Sequence, residues 1–144
     1  MSATPRVSEA TERPWIKVSD IDHERLSGLA TAVIDIMPGI ASRLLTEMER
    51  AEIVRHERLP ESVVAMGSTV VFMDHGDRPR RVQLVYPDDA DIVQGKVSVM
   101  APVGTALIGL SVGQSITWLG VDGRERWLTV LGVEPPPIRD PVRA

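Results

Sequence analysis

Apolar residues recur at intervals of three and four along two stretches of the N-terminal third. The two series are Leu26, Leu29, Val33 and Ile36, then Ala41, Leu44, Met48 and Ala51. This spacing places each series on one face of a helix and is typical of a coiled-coil seam. Met37-Pro38-Gly39 separates the two series, and Pro-Gly is a strong turn signal. The pattern predicts an antiparallel helical hairpin, a short coiled coil, within residues 15–58, with arms of about 16 residues and about 24 Å.

Polar residues complete the predicted hairpin. Ser19 is suited to cap the first helix, with Asp20 and Asp22 in the first turn, where carboxylates interact favourably with the helix dipole. The alternating segment at 15–18 indicates a short extended lead-in. On the second helix, the charged residues are expected on the outer face, where Arg43 and Glu47 are one turn apart and able to pair.

After Leu59-Pro60 the apolar period changes from that of a helix to two. Alternating or β-branched runs occupy residues 68–73, 81–86, 96–100, 115–119 and 126–131, with a short apolar helical segment at 105–110. Residues 74–78 are expected to form a turn, and Asp122-Gly123 between two alternating runs is a strong hairpin signal. The chain is therefore predicted to be an α+β protein whose residues 59–134 form an antiparallel sheet of about five strands with one short helix.

The two ends of the chain differ from the middle. Residues 1–14 are polar and are expected to be a disordered arm, and residues 135–144 are rich in proline and are expected to form an extended tail. No apolar run reaches the roughly 18 residues of a membrane span, and no basic start precedes an apolar segment. We therefore expect a cytoplasmic protein.

Charge and composition narrow the function further. The net charge is −4, and residues 1–59 and 60–144 each carry ten acidic and eight basic residues. Neither half is basic enough for autonomous tight binding to DNA or RNA. The chain has no cysteine, which excludes disulfides, Cys-ligated zinc and thiol chemistry.

Few residues are arranged for chemistry. The three histidines, His23, His56 and His75, have no partner at metal-ligand spacing and are expected at the surface. The acids at positions 88, 89 and 91 suit either a divalent ion or a solvated turn, and the turn is favoured because no glycine-centred ligand loop surrounds them. There is neither a G-x-S-x-G elbow nor a phosphate loop. We expect no catalytic site, no metal and no cofactor.

Arginines cluster along the predicted strands and offer one possible nucleic-acid contact. They are Arg78, Arg80, Arg81, Arg124 and Arg126. One interpretation is a basic patch that touches nucleic acid already held by a partner. The other is an exposed strand face whose charge is balanced by Asp74, Asp77 and Glu125.

Three stretches together resemble a known family. They are Leu84-Val85-Tyr86-Pro87, the segment 97–113 containing Ala106-Leu107-Ile108-Gly109 and Val112-Gly113, and the final hairpin up to Val133-Glu134. Their order and spacing are similar to those of the C-terminal domain of the Gre transcript-cleavage factors. The run Ser98-Val99-Met100-Ala101-Pro102-Val103-Gly104 is closer still to the Rnk branch of that family. The resemblance covers roughly residues 14–134.

The resemblance implies a fold and a partner. It implies an FKBP-like sheet domain preceded by a helical hairpin, and binding of RNA polymerase at the rim of its secondary channel. Gre factors dock with the sheet domain and push a coiled coil inward, whose acidic tip helps to hold a catalytic Mg²⁺. By resemblance, Pro102, Val103 and Leu107 lie at the corner that faces polymerase. Met100 and Ala101 depart from the polar residues that often precede this proline in the family.

The predicted hairpin tip departs from the Gre pattern. It comprises Asp35, Met37, Pro38 and Gly39, and Asp35 has no second carboxylate three residues on. A hard cation is held better by several carboxylate oxygens than by one. By resemblance, a Gre tip must also travel further into the channel than arms of about 24 Å allow. The sequence therefore predicts a factor that occupies the channel entrance and competes with Gre factors without stimulating transcript cleavage.

Two other functions remain open from the sequence. An FKBP-like sheet would be compatible with a peptidyl-prolyl isomerase, although fold alone does not establish that activity. An independent DNA-binding regulator is a further alternative, which the acidic balance of the chain disfavours.

Overall fold

The computed structural model describes residues 14–74, 78–119 and 122–136. Residues 1–13 of the predicted arm at 1–14 and residues 137–144 of the predicted tail lie outside the described residues. His75, Asp77 and the middle of the predicted turn at 74–78 lie outside them as well. No helix in the described ranges is long and apolar enough to cross a membrane.

Two helices joined by a tight turn form the N-terminal part. They are α1 (Asp20–Val33) and α2 (Pro38–Arg50), flanked by the short strands β1 (Lys17–Ser19) and β2 (Glu52–Val54), which pair in parallel. Ser19 caps α1 as predicted, since its hydroxyl accepts a hydrogen bond from the backbone N–H of Asp22 at 3.0 Å. The strand β2 was not predicted, because three residues are too few to show a period.

The predicted turn is displaced by a few residues. Pro38 occupies the first position of α2, where its missing N–H costs nothing, and Gly39 lies within the helix. The chain reverses at residues 34–37 instead, so Ile36 leaves the predicted seam and is 77% exposed. The helices have 14 and 13 residues, which gives about 21 Å and about 20 Å rather than the expected 24 Å.

The C-terminal part is a five-stranded sheet with one short helix. Its elements are β3 (Thr69–Met73), β4 (Arg80–Val85), β5 (Lys96–Ser98), α3 (Pro102–Leu107), β6 (Ser115–Leu119) and β7 (Glu125–Glu134). The strand order is β5-β4-β3-β7-β6. The β6–β7 pair is antiparallel, as the Asp122-Gly123 signal predicted.

The prediction of a wholly antiparallel sheet is wrong, because β5 pairs with β4 in parallel. In the segment that connects β4 to β5, two 3-10 turns, Pro87–Asp89 and Ile92–Gln94, bring the chain back along β4. Strand β5 then runs in the same direction as β4. The sheet is therefore mixed. Alternation in the sequence identifies a strand, but the connecting segment decides its direction. The short helix begins at Pro102, one of the residues expected at the corner, and it ends at Leu107 rather than Leu110.

The hairpin and the sheet share a single hydrophobic core. Side chains of α1 and α2 such as Leu26 and Leu44 belong to the same buried cluster as Phe72, Leu84 and Leu128 of the sheet. The hairpin is therefore fixed to the sheet by continuous apolar packing, the main source of stability in such a contact.

Candidate functional site

The corner between β5 and α3 is a tightly bonded turn. The hydroxyl of Ser98 accepts a hydrogen bond from the N–H of Met100 at 2.9 Å, and the Ser98 carbonyl accepts one from the N–H of Ala101 at 3.0 Å. Pro102 then starts the helix, and the Thr105 hydroxyl donates to the carbonyl of Val99 at 2.6 Å. These bonds order the backbone of the corner, and an ordered segment loses little conformational entropy when it binds a partner.

Gly104 allows the helix to lie directly on the end of β5. A β-carbon at this position would stand 2.0 Å from the carbonyl oxygen of Ser98, a distance at which the backbone would have to move. Glycine is therefore needed here for close backbone approach.

The three residues predicted at this corner are placed differently. Pro102 and Val103 are half-buried and reach the surface, whereas Leu107 is fully buried in the core. Direct contact with a partner is thus open to Pro102 and Val103, and Leu107 supports the corner from beneath.

Behind Pro102 lies a small cavity of about 80 Å³ between α3, α2 and β6. Its lining includes Arg43 and Glu47 of α2 and Trp118 of β6. Glu47, expected on the outer face of its helix, is only 3% exposed. Its carboxylate accepts a hydrogen bond from Nε of Arg50 at 3.0 Å and lies 2.9 Å from Nη2 of the same arginine. A buried carboxylate requires such a partner.

At the far end of the hairpin, the tip is apolar and carries one acid. Asp35 and Ile36 are exposed, and the turn is closed by hydrogen bonds from the N–H groups of Ile36 and Met37 to the carbonyl of Val33, at 3.0 and 2.7 Å. Between Arg25 and Arg43, Asp35 is the only charged residue in the sequence. The predicted tip residues are thus brought together, although Pro38 and Gly39 belong to α2.

A second contact ties the hairpin to the segment before the sheet. Asp22 accepts a hydrogen bond from the N–H of Met66 at 3.2 Å, and Asp20 accepts one from the N–H of His56 at 3.1 Å. Burial raises the pKa of the Asp22 carboxyl above its usual value, against the opposing effects of the Met66 hydrogen bond and the positive charges of Arg25 and His56. The sequence indicated only that Asp20 and Asp22 lie in the first turn of α1, and it did not indicate their hydrogen bonds to His56 and Met66.

The strand arginines are largely neutralised by carboxylates. Arg81 makes two hydrogen bonds of 3.0 Å to Glu134, Arg80 lies 3.3 Å from Asp74, and Arg126 lies 2.8 Å from Asp122. Three of the five arginines in the possible basic patch are therefore paired, which favours the balanced strand face.

The remaining candidate ligands have structural positions. The ring nitrogen Nε2 of His23 lies 3.1 Å from the carbonyl of Met48 across the hairpin. Asp91 caps the turn at 92–94 by accepting a hydrogen bond from the N–H of Val93. Within residues 14–74, 78–119 and 122–136, no three acidic or histidine side chains are grouped to hold a metal ion.

The aromatic side chains are dispersed. Phe72 is buried in the core, and Trp127 is exposed on the outer face of β7. The cavity behind Pro102 contains one aromatic residue, Trp118, and a larger cavity of about 160 Å³ beside Asp22 contains none. Isomerase pockets of the FKBP kind are lined by several aromatic side chains, and neither cavity has such a lining.

Comparisons with known proteins agree with this architecture. The family model described as "Transcription elongation factor, GreA/GreB, C-term" matches residues 59–135, and "Rnk N-terminus" matches residues 14–54. The Escherichia coli K12 protein named "Regulator of nucleoside diphosphate kinase", which is Rnk, is 41% identical over 123 residues, covering 85% of this chain and 90% of the relative. A GreA from Azorhizobium caulinodans is 31% identical over 121 residues, covering 77% of this chain and 76% of its own.

A solved structure extends the likeness to three dimensions. A "Prokaryotic transcription elongation factor GreA/GreB from Nitrosomonas europaea" superimposes with a TM-score of 0.67 at 37% identity, covering 85% of this chain and 99% of that one. The chain belongs to the GreA/GreB family of transcription elongation factors and carries the N-terminal segment of its Rnk branch.

Proposed function

We propose that this protein is a non-enzymatic regulator that binds RNA polymerase at the rim of the secondary channel. The sheet domain docks through the Pro102–Val103 corner, and the hairpin enters the channel. While bound, it competes with Gre-type factors and does not stimulate transcript cleavage. It acts where polymerase acts, in the cytoplasm, and contacts nucleic acid only within the polymerase complex. Family membership supports the polymerase as partner.

The geometry of the hairpin carries the non-cleaving part of the proposal. Its arms are about 21 Å and about 20 Å long, shorter than the sequence predicted. Asp35 is the single acid at the tip, and its neighbours Ile36 and Met37 supply no oxygen ligand from their side chains. A second Mg²⁺ would therefore be held by one carboxylate, where carboxylate and water oxygens together normally complete the shell.

A stalled, backtracked polymerase tests the proposal directly. Transcript cleavage is measured with this protein alone, with a Gre factor alone, and with both at increasing ratios. We expect no stimulation by this protein and a progressive loss of Gre-stimulated cleavage, because two proteins cannot occupy one rim together. Robust cleavage with this protein alone would refute the non-cleaving role, and unchanged Gre activity at saturating concentration would refute shared docking.

A further inference from the structure

Two adjacent aliphatic side chains protrude from the sheet domain beside its edge strand. Ile92 is 90% exposed and Val93 is 95% exposed, more than any other large apolar residue in the described ranges. Exposed apolar residues scattered singly are ordinary, but a pair at almost full exposure marks a candidate contact with a partner.

The loop that displays this pair is firmly built. Asp91 and Lys96 exchange two backbone hydrogen bonds of 2.9 Å, which close the base of the loop. The Asp91 carboxylate caps the turn through the N–H of Val93, and Gly95 completes it in the left-handed conformation at φ 74°. Because the backbone is already ordered, burying Ile92 and Val93 against a partner carries little further entropic cost.

Acidic residues border the pair. Asp88 and Asp89 are exposed on the preceding 3-10 turn, and Asp91 stands at the base of the loop. Lys96 is the nearest basic residue along the chain and lies within β5. Ile92 and Val93 therefore form an apolar knob bordered by acidic groups. Such a knob is complementary to an apolar recess bordered by basic groups.

We propose that residues 87–95 form a second docking element for RNA polymerase, in which Ile92 and Val93 enter an apolar recess bordered by basic side chains. This inference rests on the proposed function. Six residues, 96–101, separate the loop from the Pro102–Val103 corner, and the first three of them form edge strand β5, so both elements are available to one partner surface.

The charge of the loop argues against two other occupants. Three carboxylates repel the phosphates of nucleic acid, whose binding depends on basic residues. A second copy of this chain would need to offer basic groups, yet the strand arginines Arg80, Arg81 and Arg126 are already paired with carboxylates of the same chain.

Equilibrium binding of the full chain to core polymerase tests the proposal. The variant Ile92→Ser/Val93→Ser is compared with Ile53→Ser/Leu131→Ser, which alters two other exposed aliphatic residues. We expect the first variant to bind at least about tenfold more weakly and the second to bind as the wild type does. Thermal midpoints should match that of the wild type for Ile92→Ser/Val93→Ser, because neither side chain contributes to the core.

Charge is tested separately with Asp88→Asn/Asp89→Asn. We expect weaker binding at low salt and a smaller loss of affinity as salt is raised, because part of the attraction is electrostatic. Binding of Ile92→Ser/Val93→Ser within twofold of the wild type would overturn the inference and leave the proposed function intact. Self-association of the wild type that this variant abolishes would assign the knob to a second copy. A wild type that does not bind polymerase would refute the proposed function itself.

Discussion

A β-carbon on Gly109 would lie 2.8 Å from the β-carbon of Ile16. Gly109 adopts a φ of 85°, and its carbonyl accepts a hydrogen bond from the N–H of Lys17 at 3.1 Å. The lead-in strand therefore packs directly against the loop that follows α3. Through this contact, Gly109 fixes the segment that leads into the hairpin against the sheet domain.

Gly109→Ala should destabilise the protein by roughly 2–4 kcal/mol, since it combines a left-handed backbone with a clash against the buried Ile16. Gly113→Ala is the matched control, because Gly113 has a similar φ of 93° but open space around its Cα. The control should lose only about 1–2 kcal/mol of backbone strain. Urea denaturation measures both, and equal losses would show that the approach to Ile16 is unimportant.

Local signals in the sequence were sufficient for most elements. The hydroxyl at Ser19 and the three-and-four spacing through Leu26 and Leu44 identified the helices, because both features act within a few residues. The alternation along β4 and the Asp122-Gly123 pair identified strands for the same reason. The α+β class followed from these elements, whereas the family was indicated by the resemblance of three sequence stretches to the Gre factors and is shown by the comparisons.

Features that depend on distant parts of the chain were not predictable. The parallel direction of β5 is set by two 3-10 turns in a polar segment that has no period. Glu47 looked like an ordinary outer-face acid, and only the position of α3 and β6 buries it. Ile92 and Val93 carry no local signal that distinguishes them from buried apolar residues, because their exposure depends on the path of the loop.

Glu47→Gln should destabilise the fold by roughly 1–3 kcal/mol, because it leaves the guanidinium of Arg50 without its charged partner. The figure is below that for a fully buried pair, since the Arg50 side chain is partly exposed. Glu49→Gln, on the exposed side of the same helix, is the control and should change stability by less than about 0.5 kcal/mol. Chemical denaturation distinguishes them; a silent Glu47 variant would contradict the importance of this pair.

Asp22→Asn should alter the dependence of stability on pH. Burial raises the pKa of Asp22 in the folded state above 3.8, so the folded protein binds this proton more readily than the unfolded chain. Stability from this group is therefore present at low pH and is lost as pH rises from the unfolded value through the folded pKa. The asparagine variant lacks this loss, so its stability relative to the wild type should increase with pH across that interval.

Urea denaturation at a series of pH values from about 3.5 to about 7 measures the difference between Asp22→Asn and the wild type. Glu49→Gln serves again as control, because Glu49 is exposed whereas Asp22 is partly buried. A difference that stays constant with pH would show that burial of Asp22 does not penalise its charge.

Pro38→Glu separates the two reasons for expecting no transcript cleavage. It places a second carboxylate three residues after Asp35, at the first position of α2, where an acid interacts favourably with the helix dipole. Stability should therefore change by less than about 1 kcal/mol.

The Pro38→Glu variant has the paired acids that a second hard cation prefers, but its arms remain about 21 Å and about 20 Å long. If length is limiting, the variant still competes with a Gre factor and still fails to stimulate cleavage of a backtracked complex. Pro38→Gln is the matched control, with the same change in backbone and no added charge. Cleavage by the glutamate variant and not by the glutamine variant would show that the tip reaches the catalytic metal and that the wild type lacks only the second carboxylate.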